Sequence, residues 1–563
     1  MKSLKMNCRD SKASQSFLAR FASLRLKSLL VVLATSLLAA LACARTDVPI
    51  DYNNVTPVGE SGPFGFFNDV TATPGEVYLP ADGVSTLAPP TSVVAGSART
   101  PRPTQDISVS PTPDAARASA LNRTNTEQYT VQRGDTLNEI GSRYGVTGVQ
   151  IAQASGIQVT DTLFVGQVLI IPLPDQSSFG PDLKLLPNSE LVYGPSTADF
   201  NLEAYVQAQG GYLAYYAEDI PAIFLDGLRP RTLTGAEIVR LVATRYSVHP
   251  QVLLALLEYQ SGWVTNPQPD GNTLAFPLRR VEVNREGLYR QLAWAANKLN
   301  EGYYGWRAGW LVSFQFPGGQ LRLINPGLNS GTVAVHNYFA QISTVEEWTR
   351  AVTPGGFEAV YARLFGNPFR YAVEPLVPDN LAPPQLILPF EPGKAWAFTG
   401  GPHGAWDTGS AWGALDFAPP AEIEGCVQSE EWVVASAPGV VVRSEYGALV
   451  VDLDGDGFEG TGWNLFYMHV EQRDRMVVGT FVNAGDRLGH PSCEGGVSSG
   501  THLHFSRKYN GEWLEAGGGL YPFVMDGWLA ASLGREYDGT LANGGRVIEA
   551  CDCRAEANEI VRP

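Results

Sequence analysis

The chain has 563 residues, too many for one hydrophobic core, so about two to four domains are expected. With 44% apolar and 17% charged residues, 59 Gly and 39 Pro, it is neither a coiled coil, nor collagen-like, nor wholly disordered. A net charge of −17, with no Lys/Arg block beyond the first 27 residues, gives no attraction for a phosphate backbone, so no nucleic-acid partner is expected. Six cysteines without a CxxC pair exclude a dense disulfide framework and a thiolate metal site, which leaves His and carboxylate to hold any metal.

Residues 1–27 carry seven Lys/Arg against one Asp and lead into the apolar run Ser28 to Leu41. That run is shorter than the roughly 20 residues of a bilayer-spanning helix and reads as an export signal over 1–42. Its end, Ala40-Leu41-Ala42-Cys43, resembles a bacterial lipoprotein signal, which implies a lipid anchor at Cys43. Residues 43–126 are rich in Pro, Ser and Thr with no sustained period, which predicts an extended tether.

Between 127 and 174 the sequence predicts a β-α-α-β unit. The strand Tyr129 to Val131 is followed by Asp135 and Thr136, which can cap a helix over Leu137 to Tyr144. A second helix around Val149 to Ala154 and a strand over Val168 to Pro172 complete it. The runs Tyr129-Thr-Val…Gly134-Asp-Thr-Leu137 and Gly166-Gln…Ile171-Pro172 resemble the LysM module, which implies binding of the glycan strands of peptidoglycan.

Residues 175–195 read as a second linker, and 196–380 as an all-α domain. Thr234 and Glu237 form a capping-box pair ahead of an amphipathic helix to Tyr246. The stretch Tyr246 to Trp263 resembles the start of a lytic transglycosylase core, implying a lysozyme-like domain. That family has a general-acid Glu before the Ser-Gly-aromatic turn, and here Gln260 stands there; Glu258 lies about 200° around the helix. The domain is therefore expected to be non-catalytic, with His249 and His336 as structural residues.

From Leu386 onward Val/Tyr/Phe runs alternate with Gly-rich turns, the pattern of an antiparallel sheet domain, and five of the seven histidines fall between His403 and His504. In Gly500-Thr-His502-Leu-His504-Phe505 a strand would aim both imidazoles to one face, about 7 Å apart. Upstream stand Gly400-Gly-Pro-His403, Asp416-Phe-Ala-Pro419 and Tyr467-Met-His469. Two histidines and one carboxylate suffice to hold Zn²⁺ with the fourth position left for water.

In this order these segments resemble the lysostaphin-type zinc endopeptidases, in particular the β-lytic and staphylolysin branch. The resemblance implies that His403, Asp416 and His504 bind zinc and that His469 and His502 act on the substrate. Asp407 also fits the His403-x-x-x-Asp spacing, but Asp416 has the hydrophobic-Ala-Pro continuation of the family. The domain is expected over 381–535, followed by a tail, 536–563. Asp452-x-Asp454-x-Asp456-Gly457 resembles the first half of a calcium loop; position twelve is Trp463, so a plain acidic turn is expected. Cys551 and Cys553 are expected to reach Cys426 and Cys493 rather than each other.

The expected protein is multidomain: a small LysM module, an all-α lysozyme-like domain and a mostly antiparallel β zinc peptidase domain. It is expected to be an exported, lipid-anchored wall hydrolase of the cell envelope that cleaves the peptide stems or crosslinks of peptidoglycan. The competing reading is a non-catalytic envelope regulator that binds peptidoglycan and activates a separate amidase.

Overall fold

The computed structural model describes residues 123–132, 135–175, 178–225 and 229–563. The expected signal, the Cys43 lipid site and nearly all of the first linker lie outside the described residues. Among the described residues no helix is long and apolar enough to cross a membrane.

The N-terminal module is the expected β-α-α-β unit. Strands β1 (Glu127–Thr130) and β2 (Val168–Ile171) pair antiparallel, with Glu127 opposite Ile171. Helix α1 (Leu137–Tyr144) starts at a capping box in which Thr136 and Glu139 satisfy each other's backbone amides, and ends on Gly145 in the left-handed conformation. Thr147 and Gln150 open α2 (Gly148–Ser155) in the same way. Both helices bury one stripe, Leu137, Ile140 and Ile151, against Leu169 and Ile171.

The segment 175–195, expected as a linker, is instead packed into the next domain. Leu185 and Leu186 are fully buried, the Leu185 amide donates to Thr332 Oγ1 (2.9 Å), and Asn329 Nδ2 donates to the Leu186 carbonyl (2.7 Å). Burial of these two side chains contributes about 1.5–3 kcal/mol each to holding the segment in place.

The middle domain comprises α3 (Leu202–Gln209), α4 (Gly235–Tyr246), α5 (Pro250–Ser261), α6 (Leu288–Ala308), α7 (Ser330–Ala340), α8 (Val345–Ala351) and α9 (Phe357–Phe365). It is not strictly all-α: the hairpins β3–β4 (Ala217–Ile220, Arg231–Thr234) and β5–β6 (Ser313–Gln315, Leu321–Leu323) belong to it. Thr234 and Glu237 form the expected capping box of α4. Helices α6 and α7 approach closely at Gly302, where a Cβ would lie 2.7 Å from Ala334 Cα. The first module rests on this domain through Gln315 Nε2, which donates to the Asn138 carbonyl (2.9 Å) and to Ser142 Oγ (2.8 Å).

The C-terminal domain is built on β7 (Ala395–His403), β8 (Ala414–Ala418), β9 (Val433–Val434), β10 (Gly439–Glu445), β11 (Ala448–Asp452), β12 (Trp463–Met468), β13 (Phe481–Val482), β14 (Arg487–Gly489), β15 (Leu503–Tyr509), β16 (Glu512–Trp513), β17 (Val524–Met525), β18 (Trp528–Ser532), β19 (Gly539–Asn543), β20 (Arg546–Glu549) and β21 (Glu559–Val561). The main antiparallel sheet runs β13-β10-β11-β12-β15-β8-β7-β21, with β16 beside β15. A second sheet, β17-β18-β19-β20, joins the same core, in which Trp396, Phe417, Tyr467 and Phe505 are fully buried.

Residues 536–563 are therefore no tail. Ile548 and Ile560 are core residues, and β21 closes the sheet edge with Ile560 opposite Trp396. The cysteine expectation is also corrected: Cys426 bonds Cys493, and Cys551 bonds Cys553. The first pair is brought together by Thr501, whose Oγ1 accepts from the Val427 amide while its own amide donates to Gly425. The second pair spans a tight turn in which the Cys553 amide donates to the Cys551 carbonyl (2.6 Å).

Candidate metal centre

Strands β7, β8 and β15 lie side by side, and their register brings the predicted ligands together. Asp416 on β8 stands opposite His504 on β15 and Gly400 on β7. At Gly400 a Cβ would lie 2.5 Å from an Asp416 carboxylate oxygen, so only glycine leaves the carboxylate room. Register shifts in β7 after Gly400 turn the strand end so that His403 points back toward Asp416.

His403 Nε2 and His504 Nδ1 are 3.0 Å apart, and each is 3.3 Å from Asp416 Oδ1. The outward nitrogens settle the tautomers. His403 Nδ1 lies 2.8 Å from the Gly401 carbonyl and His504 Nε2 lies 3.0 Å from the Ala405 carbonyl, and a carbonyl accepts only from N–H. With both rings neutral, the inward nitrogens present lone pairs to each other and to Asp416 Oδ1, a buried oxygen with no hydrogen-bond donor. Three acceptors facing one another in a buried place repel unless a cation or a proton lies between them. The donor set, two imidazoles and a carboxylate, fits a divalent metal.

The charges agree. Burial alone would raise the Asp416 carboxyl, yet His403 and His502 beside it hold it well below the usual carboxylate range. Burial likewise opposes a charge on His403, but the Asp416 carboxylate and the Gly401 carbonyl push it above the ordinary imidazole value. Burial, with His403 alongside, lowers His504.

His469 and His502 form a second pair with ring centres 4.4 Å apart, and His502 Nε2 is 3.8 Å from Asp416 Oδ1. His469 follows β12 directly in a left-handed conformation (φ 65°), which swings its ring toward the centre. Its Nδ1 is 2.9 Å from the Glu494 carbonyl, and His502 Nδ1 is 2.8 Å from the Gly500 carbonyl. Both rings thus spend Nδ1 on a carbonyl and turn Nε2 away from it. Burial, then His502 and His504, hold the conjugate acid of His469 well below the ordinary value.

All five predicted residues come together here, and the other candidates do not. Asp407 accepts from Tyr246 OH (3.1 Å) and the Thr408 amide (2.7 Å) and takes no part in the cluster. His490 lies outside it, against Trp432 (3.8 Å) and the Glu431 carbonyl (2.8 Å). His249 caps α5, and His336 is fully buried beside Trp348. Asp452, Asp454 and Asp456 also bring carboxylate oxygens within 4.8 Å of one another, in a turn closed by its own amides, such as Gly457 to Asp452 (2.9 Å).

Two neighbours were missed on the sequence because they fall in the supposed tail. Tyr537 stacks on His403 (4.2 Å, 17° between planes), and Glu536 accepts from the Gly404 amide (3.0 Å). A lone Tyr and Glu after a Gly-Arg turn carry no motif.

Residues 423–516 match peptidase family M23. The C-terminal domain is that of an M23 metallopeptidase. His469, His502 and His504 lie within the matched residues, whereas His403 and Asp416 precede them. Residues 129–172 match the LysM domain. Residues 184–378 match the LasA N-terminal domain, a far longer match than the 18-residue transglycosylase resemblance, and one that takes in residues 184–195 of the supposed linker. The chain is similar to Protease LasA of Pseudomonas aeruginosa, at 29% identity over 364 residues, 61% of this chain and 78% of that protein. It is also similar to the beta-lytic metalloendopeptidase of Lysobacter enzymogenes, at 27% identity over 27% of this chain and 83% of that protein. Among solved structures, the M23 metalloprotease pseudoalterin from the deep sea aligns at 25% identity and a TM-score of 0.26, covering 32% of this chain and 100% of that one.

Proposed function

We propose that this M23 metallopeptidase is a zinc endopeptidase that cuts peptide bonds of peptidoglycan, with His403, Asp416 and His504 holding the metal and His469 and His502 serving the reaction. The observation that carries the reading is the convergence of His403, Asp416 and His504 in one buried place, the two histidines fixed from outside by carbonyls, beside His469 and His502, whose Nδ1 atoms are likewise held by carbonyls. Zinc held by His403, Asp416 and His504 would supply a lowered pKa for water and polarisation of the scissile carbonyl. His469 enters unprotonated, because burial and its histidine neighbours disfavour its charge, and so accepts the proton of the attacking water. His502, its Nδ1–H held by Gly500, presents Nε2 to the developing oxyanion or the leaving amine once it carries a proton. No position is missing, which separates this chain from a metal-free regulator.

The LysM module holds the glycan strands, and the chain is exported and anchored in the envelope through lipid on Cys43. The middle domain cuts no glycosidic bond. Glu258 is consumed by the Val264 and Thr265 amides, Thr265 Oγ1 and Arg363 Nη2 (2.7 Å), and Gln260 carries no proton to give. The test is mass spectrometry of fragments released from purified sacculi by zinc-loaded protein. The expected products bear new peptide amino termini and no new sugar ends; a folded, zinc-loaded chain that opens no peptide bond, or that yields anhydromuramyl ends, refutes the reading. Removing residues 127–174 is expected to lower co-sedimentation with sacculi while cleavage of soluble peptides persists.

A further inference from the structure

The loop between β7 and β8 carries the Ala405 carbonyl that fixes His504, and residues of the helical domain hold that loop. Asn297 on α6 grips its tip with both ends of the amide: Oδ1 accepts from the Gly409 amide (2.7 Å) and Nδ2 donates to Thr408 Oγ1 (3.1 Å). The fit is close, since a Cβ on Gly409 would overlap the Asn297 carbonyl. Tyr246, the last residue of α4, donates its hydroxyl to Asp407 Oδ2 (3.1 Å). Its ring meets Trp406 (6.0 Å between centres), and the Arg245 guanidinium lies 5.3 Å from the Trp406 ring centre.

Inside the loop the restraint passes to the carbonyl in three short steps. Asp407 stands in the left-handed conformation (φ 60°) and its carbonyl accepts from Ser410 Oγ (2.9 Å). Ser410 Oγ also accepts from the Trp406 amide (2.9 Å), and the Ala405 amide donates to the Ala411 carbonyl (2.9 Å). Ala405 is thereby fully buried with its oxygen 3.0 Å from His504 Nε2. The ends of the loop are buried, at Ala405 and Ala411, and Glu536 holds the Gly404 amide, but at its tip Thr408 is exposed and Asp407 half-buried, and there the hydrogen bonds to α4 and α6 set its position.

We propose that Asn297 and Tyr246 are positioning residues of the metal centre: by pinning the 404–411 loop they hold the Ala405 carbonyl on His504 and keep the His504 Nδ1 lone pair aimed inward. Asp407, which the sequence offers as a rival ligand, is the docking point of that loop on the helical domain. The inference rests on the metal reading above.

The experiment uses the full chain, stripped of metal and titrated with Zn²⁺ against a competing chelator. Asn297→Ala is expected to weaken zinc binding about tenfold, the lower end for a partner that orients a ligand from outside. Asn297→Asp, which keeps the acceptor for the Gly409 amide, is expected to recover most of that loss, and Tyr246→Phe to weaken binding less than Asn297→Ala. Tyr303→Phe is the control: it removes a hydrogen bond to Glu512 Oε2 (3.0 Å) elsewhere on the interface between the same two domains. It is expected to leave the zinc affinity unchanged. Unaltered affinity in both Asn297→Ala and Tyr246→Phe overturns the inference, as does a loss in Tyr303→Phe equal to that in Asn297→Ala, which would mean a general effect of domain docking. Failure of the unmutated chain to bind zinc refutes the metal reading instead and takes this inference with it.

Discussion

Replacing Asp416 by Asn tests the centre most directly, because it keeps the side chain's volume and removes the one negative charge among the three inward acceptors. In the native chain Asp416 Oδ1 lies 3.3 Å from both inward nitrogens. A neutral amide there either turns its oxygen inward without charge or offers an N–H that cannot bind a cation. Outer partners that merely orient a ligand are worth about 10–100-fold in affinity, so loss of a ligand charge is expected to exceed about 100-fold. Metal bound only by the folded state stabilises it by RT ln(1 + [L]/Kd). With free zinc set at about 100 times the native Kd, the native chain gains about 2.7 kcal/mol, and a variant weakened about 100-fold gains about 0.4 kcal/mol. Unfolding with zinc and with a chelator measures that difference without reference to activity. The reasoning is refuted if Asp416→Asn keeps the full zinc-dependent stabilisation, or if Asp407→Ala abolishes it while Asp416→Asn does not.

Two further outcomes follow from the same geometry. His469→Ala and His502→Ala are expected to retain the zinc-dependent stabilisation yet lose about 100- to 10,000-fold in turnover on a soluble peptide, the scale of a positioned acid–base group; loss of zinc in either would make it a ligand. His336, whose two ring nitrogens have no partner and whose protonation burial pushes down to about 3, sets an acid limit on the helical domain. Its folded pKa lies below the unfolded value of about 6.5, so the unfolded chain binds the extra proton between the two. Stability is intact above about pH 6.5 and falls by about 1.4 kcal/mol for each pH unit below it, close to 2 kcal/mol by about pH 5. His336→Phe is expected to remove that slope in urea unfolding followed by circular dichroism, and an unchanged slope would assign the acid sensitivity to another group.

The parts of this protein that could be read from its sequence are those in which a side chain's identity is the chemistry. A capping box needs Thr at one position and Glu three later, so Thr234 with Glu237 marked the start of its helix, and Thr136 proved to be the cap of the first helix, with Glu139 as its partner. That His403, Asp416, His469, His502 and His504 would meet in one place was likewise legible, because few residue types can bind metal or move a proton. What escaped is what depends on the backbone or on distant packing. The pairing of Cys426 with Cys493 is set by the loop around Thr501, and no spacing announces it. Leu185 and Leu186 looked like linker because the helix that covers them lies more than 140 residues away. Ile548 and Ile560 looked like a tail because the edge they close begins at Ala395.

The same distinction explains why the metal centre is more than its motif. Each of the four histidines of the proposed centre leans on a carbonyl, those of Gly401, Ala405, Glu494 and Gly500, and a carbonyl has the same chemistry whatever residue bears it. Selection at such a position acts on where the backbone runs, not on which side chain is present. Gly401 and Gly500 lie within two residues of the histidines they serve, so local turns place them. The Ala405 carbonyl is different: 99 positions separate it from His504, and its loop borrows its fixed points from Asn297 and Tyr246 in another domain. The two rings meet with opposite nitrogens inward, Nε2 of His403 and Nδ1 of His504 at 3.0 Å, because a carbonyl holds the outer nitrogen of each. The stability of that arrangement is therefore a property of the helical and peptidase domains together, which gives the contact between them a chemical consequence beyond attachment.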